Sequence, residues 1–324
     1  MAKKLERPIF WAKDFVHLHL HSDYSLLQST IQLKPLAKRL KELEQKACAI
    51  TDYGNMYGAV SFFNAMSDNS IMPIIGYEAY LKFGSRFDQS SAVDAGEKGY
   101  YNLILLARNL EGYQNLVHLS SKAFTEGFFH KPRIDMAILA ERSAGLIGLS
   151  AGIDGPVGHF LLNGNEQKAL TNAKLFEDIF GAGNFFLEIQ DHNDERRQKV
   201  TTDTVNLSKQ SGIPLVATND VHYLNQDDAR AQQTLIAIGE GRAVSEGSRD
   251  TSSAIRYLRS AEEMWDIFGA ELPESLTNTV KIAEMCDLDI PQGDEVRQLP
   301  NYPIPVDSGY TTIDDYFEKV LRDG

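Results

Sequence analysis

Cysteine is nearly absent: Cys48 and Cys286 are the whole complement of a 324-residue chain. They stand far apart in unlike settings, which excludes a disulfide framework and suits a reducing cytoplasm. Long apolar runs are missing as well, so no segment is expected to span a membrane and no membrane partner is expected. The N-terminal MAKKLERPIFWAKDF is too charged and too short for a secretory signal. Positive charge is the third shortage. The 32 Lys and Arg face 45 Asp and Glu, a net charge of −13, and such a surface repels phosphate backbones. An extensive grip on nucleic acid is not expected of this piece alone, although the net charge leaves room for a local basic patch. If the protein works on DNA, most of the contact must come from elsewhere. No GxGxxG or P-loop motif is present, which weakens any nucleotide-cofactor reading. Internal repeats and low-complexity tracts are also lacking.

What remains is a rhythm of short apolar runs and amphipathic stretches. FVHLHL (15–20), ACAITD (47–52), IMPIIGYEAYL (71–81), YYNLILLA (100–107), GLIGLSA (145–151), FFLEIQ (185–190) and PLVATND (214–220) read as strands. Residues 33–46, 110–124 and 194–212 carry apolar side chains at helical spacing, with charge on the other face. Alternation of this kind predicts an α/β fold with a parallel sheet, open or closed into a barrel. The barrel is preferred, because Asp52, Glu78, Asp220 and His222 cluster at or just past the C-terminal strand ends. Residues 84–99 are polar and rich in Gly and Ser, and read as a mobile surface loop. After about residue 270 the alternation stops, so a main domain is expected over 1–270. Residues 271–324 read as a linker helix, a Pro-rich extended piece and a helix that ends in mid-pattern, as though a larger chain had been cut.

The stretch FVHLHLHSDYS places three histidines at alternate positions, which on a strand sends His17, His19 and His21 to one face. Imidazole nitrogens and carboxylate oxygens converging from several strands are what a zinc or manganese site requires. The candidate ligands are His19 and His21 as an H-x-H pair, Glu78, and Asp220 with His222 as a D-x-H pair. H-x-H alone is a weak signal; H-x-H opening the first strand with D-x-H closing the seventh is stronger. The plainer alternative is a set of hydrogen-bonded histidines and carboxylates lining a barrel mouth. His17 reads as a packed or supporting residue, and Asp52 as an acceptor of backbone N–H groups. Arg133 could anchor a loop or contact a neighbouring domain. No chemistry is assigned to His118, His130, His159 or His192.

HLHLHSDYS, AITDYGNMYGAVSF, PIIGYEAYL, GYQNLVHLSSKAFTEGFFHKPRID and VATNDVHY together resemble the polymerase-and-histidinol-phosphatase (PHP) domain that opens bacterial DNA polymerase III alpha subunits. The resemblance runs from about Phe15 to the C-terminus, and GYQNL followed by KPRID is particular to that family. It implies a distorted seven-stranded (β/α) barrel followed by the beginning of a polymerase palm, whose catalytic carboxylates would lie beyond Gly324. Metal-retaining members hold an ion cluster, and this sequence departs from them. Tyr53 stands for the His of T-D-H, Asn102 for a His opening the fourth strand, Gly152 for a Cys after the fifth, and Gln28-Ser29 for Asp-Gly. His19, His21, Glu78, Asp220 and His222 survive. The resemblance therefore implies a vestigial, hydrolytically inactive site, with no cofactor required in this piece though residual Zn or Mn is allowed. Magnesium would serve the full-length polymerase in its DNA-directed nucleotidyl transfer during replication. The partners implied are the remaining polymerase domains, DNA and dNTPs through the whole protein, and a proofreading exonuclease subunit docked on this part. The alternatives are an active metal-dependent phosphoesterase or 3′–5′ exonuclease using the surviving ligands, and a free-standing amidohydrolase-like barrel.

Overall fold

Apolar runs buried on both faces form the centre of the molecule, as strands covered on both sides must. The computed structural model describes residues 7–90, 96–243, 255–292 and 303–324. Its strands are β1 (Ala47–Ile50), β2 (Met72–Lys82), β3 (Tyr101–Ala107), β4 (Phe128–Phe129), β5 (Lys131–Asp135), β6 (Leu146–Leu149), β7 (Phe185–Ile189) and β8 (Leu215–Ala217). Helices α1 (Leu33–Glu42), α2 (Ala59–Ser67), α3 (Leu110–Thr125), α4 (Met136–Glu141), α5 (Pro156–Leu162) and α6 (Glu166–Phe180) fall between them. The later helices are α7 (Glu195–Ser211), α8 (Ala229–Glu240), α9 (Ala261–Phe268), α10 (Pro273–Met285) and α11 (Ile313–Asp323).

The fold is α/β with a curled mixed sheet. β1 pairs with β2, β2 with β3, β3 with β6, β6 with β7 and β7 with β8. The long β2 also takes β5 alongside its last residues, beyond the end of β1. The first extended segment joins the two ends of this path: His17 bridges Cys48 and Leu20 bridges Val221, both in parallel. Ala49 N donates to His17 O at 2.8 Å, and His21 N to Val221 O at 2.9 Å. The expected first strand is thus present as single bridges on either side rather than as a continuous ladder.

The parallel sheet expected from alternation needs one correction. β3 runs antiparallel to both of its neighbours. No helix intervenes between β2 and β3 among the described residues, and a parallel partner requires a helical crossover whereas an antiparallel one does not. Residues 91–95 of the connection, within the stretch read as a mobile loop, lie outside the described residues.

Alternation sorts the side chains of each strand between two cores. Ile104, Leu106, Ile147, Leu149, Phe186 and Val216 pack together on one face with Val16 and Leu18. Leu103, Leu105, Phe185 and Leu187 pack on the other, against Phe176 and Phe180 of α6 and Leu116 of α3. Glu78, Asn102 and Glu188 continue the first of these faces at even-numbered steps, which carries polar groups to its end.

By packing, Lys3–Ile290 form one compact unit and Pro291–Gly324 belong to another. α10 lies against β8, and Val16 N donates to Thr279 Oγ1 at 3.1 Å. The boundary expected near residue 270 falls between α9 and α10, inside the larger unit. Residues 293–302, which include the start of the Pro-rich piece, lie outside the described residues, as do 1–6. Among the described residues no helix is long and apolar enough to cross a membrane.

Gly76 shows how tightly β2 and β3 approach. A Cβ added there would lie 2.4 Å from the Leu105 carbonyl oxygen and 2.7 Å from Leu106 Cδ2. Gly76→Ala is therefore expected to cost about 1–3 kcal/mol through overpacking, read as a lower urea midpoint with unchanged slope. Wild-type stability in this variant would contradict the register that sets Glu78 opposite Ile104.

Candidate metal centre

The chain bends at His19, and that bend decides which histidines meet. His17, buried, turns to the Arg259 carbonyl through Nε2 at 2.9 Å. His19 and His21 turn instead toward the polar end of the interior. The single face expected for all three is thus corrected: alternation fails at the bend. Burial pushes the His17 pKa down to about 4, so it stays neutral.

Four donor atoms converge. His19 Nε2 lies 3.1 Å from His21 Nε2 and 3.0 Å from Glu78 Oε2. Asp220 Oδ1 is 3.4 Å from His19 Nε2 and 3.3 Å from His21 Nε2, and His21 Nε2 is 3.1 Å from Glu78 Oε2. Asp220 Oδ1 is buried without a hydrogen-bond partner. Ligands about 2.0–2.1 Å from a tetrahedral zinc sit about 3.3 Å from one another. These five separations lie near that figure, but the donors fall into two overlapping sets, His19, His21 and Glu78 in one and His21, Asp220 and His222 in the other.

Neighbouring groups aim these atoms inward. His19 Nδ1 lies 2.7 Å from Glu188 Oε1, and a carboxylate there keeps the proton on Nδ1 and the lone pair on Nε2. Ser25 Oγ donates to Asp52 Oδ1 at 2.6 Å and accepts from His21 Nδ1 at 3.1 Å, which does the same for His21. Asp52 also accepts from Ser22 N and Ser22 Oγ, both at 2.7 Å. Glu188 is held in turn by Gln190 Nε2 at 2.8 Å and by the Thr218 hydroxyl.

Lone pairs facing one another in a buried pocket require positive charge between them. In its absence protons take that place. Burial opposes charge on His19, but Glu188, Asp220 and Glu78 outweigh it and hold its pKa well above the ordinary value. Burial likewise opposes charge on His21, and the Asp220 and Glu78 carboxylates beside it raise its pKa. Burial would raise Glu78, yet the two imidazoles pull it down to about 2. Asp220 is held well below the carboxylate range against burial, chiefly by Arg256. His19, His21 and Glu78 could hold a divalent cation in place of those protons, and imidazole with carboxylate is a donor set for zinc or manganese.

The fifth expected ligand, His222, stands beside this group. Its Nδ1 donates to the Asp220 carbonyl at 2.9 Å, its ring is 4.4 Å from that of His21, and burial lowers its pKa to about 3. His21, Asp220 and His222 form a second donor set, overlapping the first. The positions that the resemblance reads as replaced have other contacts. Tyr53 stacks on His21 at 4.0 Å, and Asn102 Nδ2 donates to Glu78 Oε1 at 2.6 Å. Gly152, at φ +51°, leaves its space to the Gln190 amide. Arg133 donates to the carbonyls of Gly127 and Asp88, so it ties down its own surroundings. His159 and His192 bond to the carbonyls of Gly96 and Asn219.

Sequence reasoning missed Glu188, Ser25 and Arg256. Glu188 did leave a signal, an acid inside the apolar run FFLEIQ. Arg256 left none; its Nη1 reaches Asp220 Oδ2 at 2.9 Å from a segment with no motif. Beside the centre opens a cavity of about 470 Å³, lined by residues including Tyr53, Tyr80, Lys98, Tyr100 and Lys131.

Residues 17–192 match the family model of the PHP domain. DNA polymerase III subunit alpha of Treponema pallidum is 41% identical over 311 residues, covering 96% of this chain and 26% of that one. The subunit alpha of Deinococcus radiodurans is 41% identical over 303 residues, covering 90% of this chain and 22% of that one. The chain thus spans about a quarter of the length of the curated relatives it matches. Among solved structures, an amidohydrolase from Chromobacterium violaceum superposes with TM-score 0.41 at 10% identity, covering 64% of this chain and 87% of that one.

Zinc titrated into chelator-stripped protein is expected to saturate at one equivalent and to raise the melting temperature. Glu188→Gln, which leaves every donor atom in place, should weaken that binding by about 10–100-fold. Unchanged affinity in a competition assay would mean that Glu188 does not orient His19.

Proposed function

The chain belongs to the PHP domain family and is a relative of DNA polymerase III alpha subunits, and from that membership we propose that it is the PHP part of such a subunit. The whole protein would be a DNA-directed DNA polymerase of chromosomal replication, working in the cytoplasm with magnesium held by palm carboxylates outside these residues. Residues 271–324 would lead toward that palm. The curled sheet, with its ends joined through Phe15–His21, is in this reading the distorted seven-stranded PHP barrel. The metal centre is a degenerate one that supports the fold and performs no hydrolysis.

One observation carries the inactive reading. His19, His21 and Glu78 make a set of only three donors, and the neighbouring Tyr53 and Asn102 add none to it, since Tyr53 stacks on His21 and Asn102 donates to Glu78. A cation held by His19, His21, Glu78 and Asp220 would fix the first segment, β2 and the chain after β8 to one another. Two-metal hydrolysis needs ions on both the attacking and the leaving oxygen, and Tyr53, Asn102 and Gly152 do not supply the ligands for that. The barrel would then serve as a scaffold for the polymerase domains and a docking surface for the proofreading exonuclease subunit.

An active phosphoesterase or 3′–5′ exonuclease is the competing reading, and the adjoining cavity with Lys98 and Lys131 speaks for it, since lysines suit a phosphate. Assays with p-nitrophenyl phosphate and 3′-labelled single-stranded DNA, in zinc or manganese, should show no turnover above an Asp220→Ala control. Turnover that vanishes in that control would overturn the inactive reading. Separately, immobilised chain is expected to retain the exonuclease subunit; failure to retain it at micromolar concentration would remove the docking role.

A further inference from the structure

Both carboxylates of the centre spend only one oxygen on the convergent group. Glu78 gives Oε2, and its other oxygen accepts from Asn102 Nδ2 at 2.6 Å. Asp220 gives Oδ1, and its other oxygen meets Arg256 Nη1 at 2.9 Å. A carboxylate bridges two metal ions by giving one oxygen to each. Here protein donors already hold the outer oxygens.

The arginine is placed by its backbone. His222 N donates to the Arg256 carbonyl at 2.8 Å, and Arg256 N donates to Tyr223 Oη at 3.1 Å. Asn219 Nδ2 donates to the carbonyls of Ile255 and Tyr257 at 3.0 and 2.8 Å, on either side of it. Tyr223 and Tyr257 bridge in parallel. Residues 255–258 therefore run beside 219–223 in fixed register, and the pairing of Arg256 with Asp220 is largely shielded from solvent, with side chains 13% and 6% exposed. Asp220 itself holds φ +46°, a left-handed backbone that aspartate tolerates at some cost. That conformation is kept at the residue facing both the convergent atoms and the guanidinium.

We propose that Arg256 is the built-in second cation of this site: its guanidinium neutralises the outer oxygen of Asp220 next to His222 and so limits the pocket to one metal ion. The inference rests on the single-ion reading of the centre and assigns the residue that enforces it. Asn102 plays the matching, uncharged part at Glu78. Removing the guanidinium leaves a buried carboxylate oxygen without its counter-charge, an arrangement that destabilises a protein strongly. A divalent ion supplies that charge and can also use His222, which belongs to the second donor set.

The test compares melting temperatures of wild type, Arg256→Gln and Arg256→Lys, in chelator and in excess Mn²⁺, together with manganese stoichiometry by equilibrium dialysis. Arg256→Gln is expected to melt well below wild type in chelator, and manganese should restore about half or more of the loss beyond the shift seen in wild type. Its stoichiometry should rise from one ion to two, while Arg256→Lys, which keeps the charge, stays at one. If Arg256→Gln folds only when refolded with manganese, the proposal is equally supported. A loss of stability that manganese does not recover, or a variant that fails to refold even with the metal, overturns it. Wild-type stoichiometry judges the underlying reading separately. A wild type that binds no ion removes the single-ion site, yet metal-dependent recovery in Arg256→Gln would still identify the guanidinium as the group excluding a cation.

Discussion

Two imidazole nitrogens that face each other at 3.1 Å, with two carboxylate oxygens at similar range, need protons or a cation among them. Around them stand four buried carboxylates, Asp52, Glu78, Glu188 and Asp220, with one guanidinium, Arg256, paired to Asp220. Coulomb attraction at these separations is large in a buried setting, and so is the cost of leaving any member unpaired. Much of the surrounding order follows from meeting that demand. Glu188 holds His19, Ser25 and Asp52 hold His21, and Asn102 and Arg256 occupy the remaining carboxylate oxygens.

The fold was legible where burial imposes periodicity. β3, β6 and β7 lie within runs whose apolar residues were read as strands, β2 overruns its run only by Lys82, and alternation along them puts Glu78, Asn102 and Glu188 on one face. The reversal of β3 was not legible from its own residues. Leu103 through Leu106 pack equally well in either direction, and only the missing crossover helix before them fixes the sense. The first segment was legible as extended but not as a bend, because the apolar residues between its histidines satisfy a strand pattern on either side of His19.

Site legibility divides along a similar line. Spacing brought out His19, His21, Asp220 and His222, since pairs two residues apart on extended chain face one way. Glu78 was found by its place late in an apolar strand, and Glu188 could have been found by the same rule. Ser25 and Arg256 could not, because their roles depend on which loops lie side by side. A bridge between Tyr223 and Tyr257 across more than thirty residues leaves no mark in local pattern.

The placement of the centre also bears on what an ion there can contribute. Phe15–His21 joins the rest of the sheet through isolated bridges at His17 and Leu20, a weaker seam than the continuous ladder between β2 and β3. His19 and His21 lie on that seam, Asp220 lies just across it after β8, and Glu78 reaches in from β2, beyond β1. A cation drawn to all four atoms would resist the opening of the seam, because separating the segments would also pull its ligands apart. An ion at a hundred times its dissociation constant adds about 2.7 kcal/mol to the folded state, a sizeable share of the net stability of a single domain. Such a contribution needs only that the ion bind the folded chain better than the unfolded one. Holding the seam closed asks only that ligands come from both of its sides, as His21 and Asp220 do in the second donor set.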